Sequence, residues 1–263
     1  MTIGASIPAE ANDSGASMDR AHRDEVRDAL VALFAGFGSR RLISMKTRAE
    51  RRQRIDGSLA RYGLSLEELG VEIFEGLSFD DANGFPSKGV RGCFTSHMTL
   101  MRECAASGKA MLVLEDDIDF DFSRITAFRR AVPDLQQAEW DMVILGYLSP
   151  TTSGKPRLER YDGGTIGGHF YGVTPAFARA VADYMQSCTT RPPGDPEGGP
   201  MYRDGAFSMF RERQSELVTK LAIPSLGGQF SSRSDLTPKN YQHWPLVAPI
   251  LDRMYEAKAW LRR

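Results

Sequence analysis

Hydrophobic positions along the chain recur at two spacings, one typical of helices and the other of buried strands. A helical spacing starts near Asp24 and another near Phe94, and each stretch ends at a glycine. Two short runs, 110–114 and 142–145, are apolar at every position, which is typical of strands buried on both faces of a parallel sheet. This alternation predicts an α/β domain with a mainly parallel, mixed sheet flanked by helices.

Hydroxyl residues mark two further helix starts. Thr47 and Glu50 have the spacing of a capping box, in which both side chains satisfy free backbone amides. Thr174 stands before Pro175, which suits a hydroxyl cap followed by proline at the first helical position. We therefore expect one helix to begin beside Thr47 and another at Pro175.

One domain accounts best for the 263 residues. Residues 1–18 are small and polar without an apolar period, which predicts a disordered tail before a single domain over 19–263. A last helix is expected at about 246–262. Residues 191–200 contain four prolines and three glycines, so we interpret them as a mobile loop that closes over a ligand rather than as a linker.

Charge and cysteine content exclude several functions. The chain has 33 Lys and Arg against 34 Asp and Glu, which gives no basic field for nucleic acid. Its cysteines lack metal-binding spacing, which indicates reduced thiols; they are Cys93, Cys104 and Cys188. No apolar run approaches the roughly 20 residues of a membrane span, and the N-terminus lacks a signal-peptide core. We expect a soluble, cytoplasmic protein.

The sequence Glu115-Asp116-Asp117, here called the acidic triplet, directly follows the first buried strand. Ligands of open α/β sheets bind beyond the carboxyl ends of the strands. In an extended backbone Glu115 and Asp117 would face one way and Asp116 the other. Neighbouring carboxylates repel each other, and a hard divalent cation would relieve that repulsion. Glu115 and Asp117 are therefore predicted ligands of Mn²⁺ or Mg²⁺.

Two other interpretations of the acidic triplet stay open. It could be a solvated acidic turn that leads into the next helix. Aspartates after a strand also occur in haloacid-dehalogenase-like phosphatases, which have Thr or Val two residues past the second aspartate. If Asp117 and Asp119 are that pair, Asp121 stands at that position, which disfavours a metal-dependent phosphohydrolase.

Four blocks carry a family resemblance. They are 44–54, a strand followed by an Arg-studded helix; 89–97, with Gly-Cys-x-x-Ser-His; 112–118, with the acidic triplet; and 224–235. In this order they resemble glycosyltransferase family 25, the lipopolysaccharide-type sugar transferases related to collagen galactosyltransferases, over about 40–236. One departure is Val90, where the family usually has Glu.

The resemblance implies a GT-A-like fold and an inverting transfer of galactose or glucose from a UDP-sugar, with Mn²⁺ or Mg²⁺. The acceptor would be a hydroxyl of a cell-surface glycan precursor such as lipopolysaccharide. A lipid-linked acceptor would bring the protein to the inner face of the membrane. The alternative is a catalytically inactive binding or regulatory protein of the same fold, which Val90 favours.

An inverting displacement needs a base that takes the proton of the acceptor hydroxyl. Asp204 follows the 191–200 loop and matches a family position, although it could instead cap the next helix. His169 is the second candidate, because imidazole titrates near neutral pH.

Other residues are expected to hold the substrates. Arg48, in the first turn of its helix, is predicted to contact the donor diphosphate. The resemblance adds Ser96, His97 and Asp116 to the donor site. It also places Gln229 and Asp235 at the acceptor or the closing loop.

Overall fold

A computed structural model describes residues 19–230. Seven strands form one sheet in the order β2-β1-β3-β7-β5-β8-β6, and two more form a small antiparallel sheet, β4-β9. The strands are β1 Ser39–Ser44, β2 Glu72–Glu75, β3 Met111–Glu115, β4 Ile118–Phe120, β5 Met142–Gly146, β6 Arg157–Arg160, β7 Phe170–Val173, β8 Thr219–Ile223 and β9 Gly227–Gln229. Within the large sheet only β6 and β7 run against the others among the described strands. The predicted α/β domain with a mainly parallel, mixed sheet is confirmed.

Helices cover both faces of the large sheet. They are α1 Arg20–Ala35, α2 Ala49–Ala60, α3 Lys88–Ser107, α4 Ile125–Gln137, α5 Pro175–Thr190 and α6 Arg203–Glu212. Side chains of α1, α2 and α4 form one apolar core, around Phe34 and Phe128. Side chains of α3, α5 and α6 form a second, around Phe94 and Phe177. The central strands contribute to both cores, which explains why β3 and β5 are apolar at nearly every position.

The helix starts read from the sequence have mixed outcomes. Thr174 caps α5 by accepting a hydrogen bond from the amide of Phe177, as predicted. The capping box at Thr47 is wrong, because Arg48 rather than Thr47 occupies the cap position of α2. The helix expected from Phe94 begins six residues earlier, at Lys88, where Ser87 caps it.

Strand β7 is the main element that the periodicity did not predict. It has four residues, and Gly172 interrupts its apolar pattern. A Cβ at Gly172 would lie 2.2 Å from the ring of Phe37, so the glycine makes room for this ring, which lies in the turn between α1 and β1. Packing against a side chain distant in sequence, rather than local propensity, therefore explains the glycine at this position.

No helix between residues 19 and 230 combines the length and apolar character needed to cross a membrane. The expected tail at 1–18 and the expected helix at about 246–262 lie outside the described residues.

Candidate active site

A cleft of about 850 Å³ opens at the edge of the large sheet where β1, β2 and β3 end. These strands are parallel, so their carboxyl ends meet at the edge where α/β sheets bind ligands. The lining comes from the ends of β1 and β3, from residues 76–80 after β2, and from the first three turns of α3. All three carboxylates of the acidic triplet line this cleft.

The acidic triplet is not extended. β3 ends at Glu115, and the chain turns at Asp116 and Asp117 before β4. The expectation of alternating side chains through the triplet is therefore wrong. Two of the carboxylates have an arginine partner: Nη2 of Arg203 donates to Oε1 of Glu115 at 2.5 Å, and Nη1 of Arg51 donates to Oδ1 of Asp116 at 2.7 Å.

Asp117 has no ion-pair partner within the described part of the chain. Its Oδ1 lies 3.4 Å from Nε2 of Gln229, and its backbone carbonyl accepts from the amide of Phe230 at 2.8 Å. Burial, followed by repulsion from Glu115 and Asp116, raises the pKa of Asp117 to about 7. The cleft therefore holds one carboxylate whose charge the protein leaves poorly balanced.

Glu115 is the opposite case. Burial disfavours its charge, but Arg203 and then His97 outweigh burial and lower the pKa of Glu115 to about 2. Glu115 is therefore ionised, and its charge is matched inside the protein.

Helix α3 approaches the cleft closely because of Gly92. A Cβ there would lie 2.3 Å from the carbonyl oxygen of Leu77, in the segment after β2. The hydroxyl of Ser96 donates to the carbonyl of Gly92 at 2.7 Å and accepts from the amide of Leu77 at 2.8 Å. Ser96 thus lines the cleft, while its hydroxyl joins α3 to the segment after β2; its contact with a donor stays a prediction.

His97 also lines the cleft and is fully buried. Its Nδ1 lies 2.7 Å from the hydroxyl of Tyr171, and its Nε2 lies 3.4 Å from Oε1 of Glu115. Burial and the charge of Arg203 lower the pKa of His97, so the ring is neutral. Cys93, one turn earlier, is a protonated thiol, because burial and then Glu115 raise its pKa well above the usual value.

Arg203 is a site residue that the sequence reasoning missed. It begins α6, is 6% exposed, and places Nη1 2.5 Å from Oδ1 of Asp204. Burial disfavours its charge, but Asp204 and Glu115 hold the pKa of Arg203 above its ordinary value. In the sequence, only its position next to the candidate Asp204 could have indicated that Arg203 belongs to the site. The contact with Glu115 joins residues far apart in sequence, and spacing does not reveal it.

The two predicted bases are not among the described residues that line the cleft. Oδ2 of Asp204 accepts from the amide of Gly167 at 2.7 Å, and its Oδ1 faces Arg203. His169 is fully buried, with Nδ1 2.6 Å from the carbonyl of Gly167. Asp204 does not cap α6 either, since Tyr202 holds that position. The base roles of Asp204 and His169 stay predictions, and the geometry gives both a part in holding the loop at Gly167.

The predicted substrate contacts are only partly brought together. Arg48 lies at the start of α2, 3.7 Å from Glu50, and is not among the described cleft-lining residues, whereas Arg51 is. Gln229 lines the cleft. Asp235 lies outside the described residues.

The 191–200 loop is irregular, as predicted. Arg191 and Arg213 both donate to the carbonyl of Glu197, at 2.6 and 3.0 Å. The loop contributes none of the described residues that line the cleft. Closure over a ligand stays a prediction.

Fold and site together define an α/β domain with a carboxylate-lined ligand cleft at the end of its parallel strands. Residues 39–145 match the family model described as glycosyltransferase family 25 (LPS biosynthesis protein). This match and the curated relatives below confirm the resemblance to glycosyltransferase family 25 that the sequence motifs indicate.

Curated proteins with similar sequences include members of glycosyltransferase family 25 and procollagen galactosyltransferases. The inactive glycosyltransferase 25 family member 3 of Homo sapiens is 27% identical over 176 residues, which cover 60% of this chain and 29% of that protein. The procollagen galactosyltransferase 1-B of Xenopus laevis is 30% identical over 125 residues, which cover 40% of this chain and 20% of that protein. The chain thus matches less than a third of the length of either relative.

Among solved structures, the mannose-1-phosphate geranyltransferase of Thermus thermophilus is similar over 71% of this chain and 59% of that chain. The sequence identity is 14% and the TM-score 0.32, a likeness too slight to bear on function.

Proposed function

We propose that this protein is a metal-dependent, inverting glycosyltransferase that moves a hexose from a UDP-sugar to a hydroxyl of a cell-surface glycan precursor. The observation that carries the proposal is the cleft itself, where three carboxylates meet at the carboxyl edge of the parallel strands. The match of residues 39–145 to glycosyltransferase family 25 supports sugar transfer, and the procollagen galactosyltransferases are relatives whose name states such an activity.

The chemistry of the triplet fits a hard divalent cation. Asp116 and Glu115 are paired with arginines, whereas Asp117 has no ion pair within the described residues and its ionisation is opposed by its neighbours. Asp117 is thus the first candidate ligand and Glu115 the second, and oxygen donors suit Mn²⁺ and Mg²⁺. A bound cation would offset the negative charge that develops on the departing diphosphate.

Protein groups around the cleft suit an anionic donor. Lys88 and Gly89, in the first turn of α3, line the cleft, and the free amides of a helix start favour phosphate. Arg51 lines it as well and keeps Asp116 in place. We infer that the diphosphate is held at the start of α3 rather than by Arg48.

A carboxylate must also take the proton of the acceptor hydroxyl. Asp80 lines the cleft outside the acidic triplet, unlike Asp204 and His169. We therefore favour Asp80 as the base and assign Asp204 the positioning of Arg203 and the loop at Gly167.

A panel of nucleotide sugars tests the proposed function. The full chain is incubated with each sugar nucleotide, Mn²⁺ and glycan acceptors, and the released nucleoside diphosphate is measured. Diphosphate release from a UDP-hexose that requires the metal is the expected result. Release of inorganic phosphate would instead identify a phosphohydrolase and contradict the proposal.

A second function is favoured by two observations. Relatives from Homo sapiens, Rattus norvegicus and Mus musculus carry the word inactive in their names. Val90, where the family usually has Glu, is 1% exposed and lies in an apolar core. The alternative is a protein that binds a nucleotide sugar without transferring it. UDP binding without release of diphosphate from any sugar in the panel would establish it.

A further inference from the structure

Three different metal-binding side chains meet at one side of the cleft. The Sγ of Cys93, a ring nitrogen of His97 and a carboxylate oxygen of Glu115 all lie within 4.8 Å of one another. Cys93 and His97 are four residues apart on α3, so they share a helix face, and Glu115 ends β3 opposite them. All three line the cleft, which gives a solvated ion a route to them.

The separation of the donors suits a small ion. Nε2 of His97 and Oε1 of Glu115 are 3.4 Å apart, too far for a good hydrogen bond. Two ligands about 2.0–2.1 Å from one tetrahedral zinc ion lie roughly 3.4 Å from each other. The Sγ of Cys93 lies within 4.8 Å of both atoms, and rotation about the Cα–Cβ bond moves it without any change of backbone.

His97 supplies an independent sign that the cluster accepts a ligand. The residue is fully buried, and within the described part of the chain its Nε2 is left with only the long contact of 3.4 Å to Oε1 of Glu115. Buried polar atoms are rarely left unpaired. Its other nitrogen is fixed by the hydroxyl of Tyr171 at 2.7 Å, and metal-bound histidines are usually held in this way.

We propose that Cys93, His97 and Glu115 form a binding site for a thiophilic divalent cation, for which Zn²⁺ is the best match. A thiolate, an imidazole and a carboxylate are donors that zinc takes together, whereas Mn²⁺ and Mg²⁺ prefer oxygen alone. On binding, the metal–sulfur bond forms and the thiol proton leaves to solvent. Glu115 would then be shared between zinc and Arg203, and the three positive charges of zinc and Arg203 equal the three negative charges of the Cys93 thiolate, Glu115 and Asp204.

Occupation of this site would affect the acidic triplet. Glu115 belongs to both groups of ligands, so zinc on Cys93 and His97 would withdraw it from a cation held at Asp117. This consequence rests on the proposed function and predicts that zinc inhibits sugar transfer. Metal binding itself does not depend on the proposed function.

Cobalt substitution tests the site directly. The untagged full chain, with its cysteines reduced, is titrated with Co²⁺ and no nucleotide sugar, and the thiolate-to-cobalt charge-transfer band is recorded in the near ultraviolet. We expect a band that saturates at one Co²⁺ per chain and disappears when Zn²⁺ is added. Cys93→Ser should abolish the band. Cys104→Ser is the matched control and should keep it, because Cys104 is buried at the far end of α3.

A second measurement on the unmodified chain covers the case in which Cys93→Ser does not fold. Zn²⁺ should protect Cys93 from alkylation, followed by mass spectrometry of the Cys93 peptide. The absence of a band at saturating Co²⁺, a band that persists in Cys93→Ser, or alkylation of Cys93 unaffected by zinc would overturn the proposal. Since neither measurement contains substrate, these results leave the proposed function standing, and a failed transfer assay leaves the zinc site standing.

Discussion

At the scale of single residues, the site depends on how each buried charge is balanced. Arg203 is 6% exposed and stands between Glu115 and Asp204, at 2.5 Å from each. Its guanidinium also lies over the rings of Tyr171 and Phe207, at 5.5 and 5.6 Å from their centroids. The guanidinium of Arg203 therefore holds Glu115, at the end of β3, against the first turn of α6.

Arg203→Met should lower the free energy of unfolding by about 3 kcal/mol, because it leaves the carboxylate of Glu115 buried without its partner. Urea unfolding measures this. The double variant Arg203→Met with Glu115→Gln should recover part of the loss, since the carboxylate at 115 is then no longer buried as an unpaired charge, while Asp204 still lacks its arginine. Arg213→Met is the matched control: Arg213 is one-third exposed in its ion pair with Glu197, and its loss should cost less than about 1 kcal/mol. Equal losses of unfolding free energy in Arg203→Met and Arg213→Met would contradict the claim that the buried ion pairs of Arg203 stabilise the protein more than an exposed ion pair does.

The assignment of the base is also a residue-scale prediction. Asp80→Asn should lower turnover about a hundredfold, the scale of general-base catalysis, with little change in UDP affinity. Asp204→Asn should mainly lower stability, because Oδ2 accepts from the amide of Gly167. Turnover by the two variants is compared at matched folded concentration. Loss of turnover in the Asp204 variant alone would restore Asp204 as the base.

At the scale of elements, the position of α3 decides the shape of the cleft. Its first three turns line the cleft, and Gly92 lets them lie against the carbonyl of Leu77. The sequence pattern began this helix near Phe94, six residues too late, and the missed turns contain Gly89 and Gly92, residues that are poor helix formers. Only the contact between α3 and the segment after β2 explains why a glycine lies in a helix there.

Gly92→Ala should destabilise the protein by about 1–3 kcal/mol, because its Cβ would lie 2.3 Å from a backbone oxygen and the helix must move. Gly57→Ala, in α2, is the matched control. A Cβ at Gly57 meets no atom within 4 Å, so alanine should stabilise α2 by up to about 1 kcal/mol. Thermal unfolding gives both values. A neutral Gly92→Ala would mean that α3 is not held against Leu77.

At the scale of the whole molecule, the sequence predicted those parts of the fold that local patterns control. The apolar runs that became β3 and β5 and the Thr174 start of α5 were read correctly. Strand β7 was missed because it has four residues and a glycine, and its place between β3 and β5 depends on pairing with both. Parallel strands carry the acidic triplet to the sheet edge, as predicted. The arginine that neutralises the charge of Glu115 comes from α6, and no local sequence pattern predicts that contact.

The central claim is that Asp117 makes the cleft a metal-dependent site for a nucleotide diphosphate. Isothermal titration of UDP into the full chain, with and without Mn²⁺, tests it most directly, with Asp117→Asn compared to Asp119→Asn. Asp119 is exposed in β4, two residues away, and its variant should bind as the wild type does. We predict that Mn²⁺ strengthens UDP binding in the wild type and that Asp117→Asn weakens Mn²⁺-dependent binding at least about tenfold, equivalent to about 1.4 kcal/mol. Equal, metal-dependent UDP affinity in the wild type and Asp117→Asn would contradict the account.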